Sequence, residues 1–121
     1  VDQRQIETTV TVNDKEYKIT KTDARTACWL FSFLSAKSVN GQILKALGLC
    51  SLEEFINLQN IVLKQTYSLE SKDGNIFPTA VLDPRNGSLV DPDLRSDSAS
   101  VMRLTSEAIF FNLKPFLVEN E

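Results

Sequence analysis

The period of the apolar residues changes at Thr22, and that change decides which class of fold is open to this chain. Before it, residues alternate. Ile6, Thr8, Val10 and Val12 stand against Glu7, Thr9 and Thr11, then Tyr17 and Ile19 against Glu16, Lys18 and Thr20. A repeat of two belongs to a half-buried strand, because successive side chains point to opposite faces. Asn13-Asp14-Lys15 between the two runs is a turn signal, so residues 6–21 are expected to form a β-hairpin. After Thr22 the spacing is helical. Ala24, Ala27, Cys28, Leu30, Phe31 and Leu34 fall on one stripe, with Thr22 or Asp23 placed to cap it. Ser38-Val39-Asn40-Gly41 ends this helix, and a short helical piece covers residues 42–47.

Ser51-Leu52-Glu53-Glu54 is a capping box, in which hydroxyl and carboxylate each satisfy an end-turn N–H. The helix it opens is expected to run to about Tyr67, with Leu52, Phe55, Ile56, Leu58, Val62, Leu63 and Tyr67 on one face. Asp73-Gly74 reads as a turn. Residues 76–82 and Leu89-Val90, either side of Asp83-Pro84-Arg85-Asn86-Gly87-Ser88, read as a second small hairpin, with Pro78 keeping its strand at an edge. Ser96 or Asp97 caps a last helix to about Asn112, lined by Val101, Leu104, Ala108, Ile109 and Phe111 and stopped by Lys114-Pro115. The expected fold class is α+β: an N-terminal β-hairpin, three main helices, and a small second hairpin before the last helix. With 121 residues and no repeat or linker, residues 1–121 read as a single domain. A chain of this size buries about two thirds of its unfolded surface, enough for a core without disulfides or metals.

Composition narrows the chemistry. Histidine is absent, which removes the commonest general base and metal ligand and any Ser-His-Asp or Cys-His arrangement. The four glycines stand apart at 41, 48, 74 and 87, so no phosphate-binding loop exists. No cofactor and no catalytic residue is expected. A net charge of −3 and scattered Lys and Arg argue against nucleic acid as a partner. No apolar run is long enough for a membrane span, and no signal peptide is visible. Cys28 and Cys50 read as buried reduced thiols of a cytoplasmic protein. Asp83, Asp91, Asp93 and Asp97 form the one acidic concentration. Such residues can hold a divalent cation, but they read as solvated turn and cap residues, with a metal-dependent enzyme kept only as a third hypothesis. Asn86-Gly87-Ser88 matches a glycosylation acceptor and reads as a turn.

The candidate functional residues are large apolar side chains off the main stripes. Trp29 and Phe33 lie four apart on the first helix, with Ala36 extending them. Ile61 projects among Glu54, Asn57 and Lys64, and Phe110 stands beside Arg103. Each forgoes about 1.5–3 kcal/mol if left in water. Something should cover them: either the fold itself, with the first helix central and a hairpin over Trp29 and Phe33, or another polypeptide, for which Trp29, Phe33, Ile61 and Phe110 are the candidate contacts, aromatic residues being favoured anchors.

The entry into the first helix reads Glu16-Tyr17-Lys18-Ile19-Thr20-Lys21-Thr22-Asp23-Ala24-Arg25, and the last helix closes with Ala108-Ile109-Phe110-Phe111-Asn112-Leu113-Lys114-Pro115-Phe116. This pattern, covering most of the chain, resembles the tail assembly chaperones of long-tailed bacteriophages and prophages. Those proteins share a Tyr-x-Ile-x-Lys-x-Asp-Ala-Arg type of entry and a Phe-Asn-Leu-x-x-Phe type of close. The acidic segment at residues 83–97 departs from that pattern. The resemblance implies an assembly chaperone in the host cytoplasm that binds the tape measure protein, helps recruit the tail tube protein, can self-associate, and leaves before the virion is complete. The rival reading is a virion structural protein such as a tube or connector subunit.

Overall fold

The computed structural model describes residues 6–37 and 43–118. Strands β1 (Glu7–Val12) and β2 (Lys15–Thr20) form the first hairpin. Val12 pairs with Lys15, so the loop is the two residues Asn13 and Asp14, both at positive φ (51° and 65°). Asn and Asp tolerate this left-handed geometry, whose twist matches that of the strands. Helix α1 (Ala24–Lys37) follows. Asp23 is its cap, accepting from the Thr26 backbone N–H and hydroxyl. A 3₁₀ segment, Ile43–Leu49, leads to α2 (Leu52–Leu63), where the capping box at Ser51 and Glu54 is present in full. The expected end of α1 at residues 38–41, and Gln42, lie outside the described residues.

Beyond α2 the chain differs from expectation. The helix stops at Leu63, and Thr66–Lys72 is a strand, β3, that hairpins through Asp73-Gly74 into β4 (Asn75–Ala80). Asp73 and Gly74 both have positive φ, so this is again a two-residue turn. The second hairpin therefore stands before the last helix, built one strand earlier than residues 76–90 suggest. Leu82 and Leu89 make only an isolated bridge. Thr66 shows why the helix yields: its hydroxyl donates to the Val62 carbonyl at 3.2 Å, and its side chain is sealed under the sheet opposite Ile19. A side chain branched at Cβ is better accommodated in a strand than in a helix.

The sheet order is β1-β2-β3-β4, antiparallel throughout, with β4 an edge. The Val81 N–H donates to the Thr66 carbonyl, which makes Tyr67 and Ala80 a wide pair. Two residues along, Leu69 and Pro78 are also a wide pair. The Pro78 nitrogen thus faces away from β3, where its missing N–H costs no ladder bond and leaves a gap in the exposed edge.

One face of the sheet carries Val12, Tyr17, Ile19 and Thr66 into the core. Over it lie Leu30 and Leu34 of α1, Leu58, Val62 and Leu63 of α2, and Leu104, Ala108, Ile109 and Leu113 of α3 (Ser98–Val118). Each such side chain contributes about 1.5–3 kcal/mol by leaving water. Asp97 caps α3, accepting from the Ser100 N–H and hydroxyl. The helix passes through Pro115 to Val118 rather than stopping near Asn112. Proline there removes only the one bond to the Phe111 carbonyl. Phe116 stacks on Phe31 with ring centroids 4.6 Å apart, which holds the last turn down. Asn112 is buried and clamps the start of α1: its Oδ1 accepts from the Thr22 N–H and hydroxyl, while its Nδ2 donates to the Ala108 carbonyl. No helix of the described residues is long and apolar enough to cross a membrane.

Candidate functional site

Trp29 and Phe33 come together. Their rings stack with centroids 5.0 Å apart, and the Lys37 ammonium lies 5.3 Å over Phe33. Lys37 also pairs with Glu54 at 3.2 Å, so the ladder runs along α1 to the start of α2. The Ser51 N–H and then Lys37 hold the Glu54 carboxyl below the usual range. Trp29 remains 43% exposed, whereas Phe33 is half-buried against the core. Ile61 is half-buried and also packs on the core, so it does not project freely among Glu54, Asn57 and Lys64. Phe110 is exposed on α3 and lies elsewhere, beside Thr8 and Val10 of β1 in a shallow depression shared with Glu107 and Lys114.

Other apolar side chains are more exposed than these. Leu52 is 76% exposed, Ile56 one turn further along α2 faces outward with it, and Leu49 on the 3₁₀ segment is exposed too. Sequence periodicity places Leu52 and Ile56 in one buried stripe with Leu58, Val62 and Leu63; the last three are buried as expected, whereas Leu52 and Ile56 face outward. Ile76, 64% exposed, and Phe77 sit on β4 near the tip of the second hairpin, where residues 70–79 are exposed on both faces. The Asp73-Gly74 turn, flanked by Tyr67, Leu69, Ile76 and Phe77, was the signal for this arm. Between α2 and α3 runs a groove of about 390 Å³ lined by Phe55, Gln59, Leu94 and Met102. A larger cavity of about 630 Å³ opens between β2, α1 and the end of α3, with Cys28 on its wall. Cys28 is exposed, not buried, because it stands on α1 beyond the Leu30–Leu34 face. Cys50 is half-buried and its thiol donates to the Ala46 carbonyl at 3.5 Å; burial, then the nearby Glu54 charge, pushes it up.

The acidic segment is more engaged than its composition suggests. Asp91 is buried, a correction to the reading of a solvated turn residue. It faces Lys15, whose Nζ lies 3.4 Å from both carboxylate oxygens of Asp91 and 2.6 Å from Asp93. Asp91 also accepts the Asp93 N–H at 2.9 Å. Burial alone depresses the Lys15 ammonium, but the Asp93 hydrogen bond and the Asp91 charge outweigh it and hold the group up at about 12. Tyr17 beneath them is pushed up to about 12 by burial and then by Asp91. Asp83 accepts from the Arg85 backbone and guanidinium, and Asp97 caps α3. The four aspartates therefore serve three separate tasks. Among the described residues no group of three or more Cys, Asp or Glu is placed to hold a metal ion.

No protein-family model matches this sequence, and neither a curated protein nor a solved structure matches it significantly.

Proposed function

We propose that this chain is a protein-binding assembly factor of the phage tail chaperone type, acting in the host cytoplasm on the tape measure protein and the tail tube protein. The observation that carries the reading is the spread of large exposed apolar side chains over several elements. They are Trp29 on α1, Leu49, Leu52 and Ile56 at the start of α2, Ile76 and Phe77 on β4, and Phe110 on α3. Scattered single residues of this kind are ordinary, but Leu52 and Ile56 lie one turn apart on α2 and Trp29 stacks on Phe33, and grouped side chains mark surfaces that meet other polypeptides. A client with long apolar helices would be kept from aggregating by such stripes, and the acidic net charge of −3 would keep the complex dispersed. Trp29 with Phe33, and Phe110, are the anchors proposed for client contact; Ile61 packs on the core. The entry and closing motifs supply the family likeness.

The test is co-expression with a phage tape measure chain, taken from the gene neighbourhood if a very long reading frame follows there. The expected result is a raised soluble yield of that client and its co-purification with this protein. An unchanged yield refutes the reading. Recovery of the protein from purified, finished particles would favour a tube or connector subunit instead.

A further inference from the structure

The groove between α2 and α3 has a built shape and one conspicuous charge. Phe55 and Gln59 form one wall, and Val101 and Met102 the other. Gln59 closes the floor by donating to the Thr105 hydroxyl at 3.1 Å, and Thr105 in turn donates to the Val101 carbonyl. The end is built from residues 83–97, held in place where Gly87 meets Asn60 of α2. A Cβ at Gly87 would stand 3.3 Å from Asn60 Oδ1, and its φ of +74° is one that glycine adopts without strain. Met102 is 43% exposed, a flexible thioether able to reshape around a guest.

The charges of this segment are nearly all accounted for. Asp83 pairs with Arg85, Asp91 and Asp93 with Lys15, and Asp97 with the Ser100 donors. Arg95, on the groove rim, is the exception: its guanidinium has no partner among the described residues. An apolar trough beside a free, planar five-donor cation is complementary to an apolar face flanked by a carboxylate.

We infer that the α2–α3 groove receives an amphipathic α-helix of another polypeptide, with an aspartate or glutamate beside its apolar face paired to Arg95. This assignment rests on the protein-binding reading and names the partner's chemistry. It is tested with two labelled peptides of about 18 residues, long enough to hold a helix. Both carry leucines at i, i+3, i+4 and i+7, and they differ only in a glutamate or a lysine flanking the leucines. Fluorescence anisotropy against the full chain should show the glutamate peptide binding about tenfold more tightly. Arg95→Glu should reverse that preference, and Met102→Lys should weaken both peptides. Both positions are exposed, so an unchanged urea midpoint verifies folding, and Arg95→Gln, which should abolish the preference, serves as the milder variant. Equal binding of the two peptides, a preference that survives Arg95→Glu, or no binding of either overturns the inference. Dimerisation lost on Met102→Lys would give the groove to a second copy and overturn it too. If Arg95→Glu leaves the yield of the tape measure chain as high as wild type does, the groove assignment falls and the chaperone reading stands. If the peptides bind as expected while wild type never raises that yield, the reverse holds.

Discussion

Lys15→Met removes the counter-ion of Asp91 and leaves its carboxylate buried. That side chain is 2% exposed, and after the substitution its remaining described donor is the Asp93 N–H at 2.9 Å. At 3.4 Å the lost attraction is about 5 kcal/mol for an effective dielectric of about 20. Part of it is offset, because the methionine variant no longer strips water from an ammonium on folding. Breaking a buried pair from one side typically costs about 3–5 kcal/mol. The Lys15 side chain is itself 18% exposed, so water screens the pair and the expected loss is about 2–4 kcal/mol. Asp91→Asn is the informative contrast. The amide oxygen still accepts the Asp93 N–H, and Lys15 keeps Asp93 at 2.6 Å, so about 1 kcal/mol should be lost. Urea unfolding at neutral pH with an unchanged slope measures both. A chain of this size loses about 4 °C of Tm per kcal/mol, so a scan should separate the variants by several degrees. A Lys15→Met cost below about 1 kcal/mol, or an equal cost for Asp91→Asn, would refute the claim that the buried carboxylate depends on this ammonium.

Alkaline pH probes the same cluster. Lys15 and Tyr17 are both held up at about 12, so each contributes stability that is complete below its unfolded value near 10 and lost as pH rises toward 12. The urea midpoint should fall across that window, and Tyr17→Phe should flatten the fall; a midpoint constant from pH 10 to 12 contradicts it. Leu58→Ala empties a position with no exposure at the centre of the α2 contact and should cost about 2–5 kcal/mol, whereas Leu52→Ala on the outward stripe should cost under about 0.5 kcal/mol. Denaturation curves that rank the two together would mean Leu52 is covered as its periodicity suggested. Pro78→Thr supplies the missing outward N–H on the β4 edge and should raise concentration-dependent association, read by sedimentation; a variant as monodisperse as wild type removes the protective role given to Pro78.

Where residues carry a local instruction, sequence and structure agree. Asn13-Asp14 and Asp73-Gly74 make two-residue turns because those side chains, or none, tolerate positive φ. Ser51, Asp23 and Asp97 cap helices because a short oxygen-bearing side chain reaches the first free N–H groups. Alternation placed the first hairpin, and Pro78 marked an edge. Among the candidate residues, Trp29 and Phe110 were legible as exposed, being large and off stripe. For Phe33 and Ile61 the sequence left core packing and partner contact both open, since the depth of a side chain depends on what covers it; both pack on the core.

The chain's own order of residues settled its turns, caps, first hairpin and α+β class, because those depend on groups a few residues apart. Only the assembled structure decided three things. Thr66–Lys72 became a strand, since pairing with β2 and β4 outweighed a continued helix. Of the apolar face expected on α2, Leu58 and Val62 were buried while Leu52 and Ile56 were left exposed, since the width of the covered stripe depends on what packs over it. Asp91 sank beneath Lys15, 76 residues away in sequence, and Arg95 was left with no side-chain partner among the described residues. Contacts across such separations depend on how the elements close on one another, which no local pattern encodes.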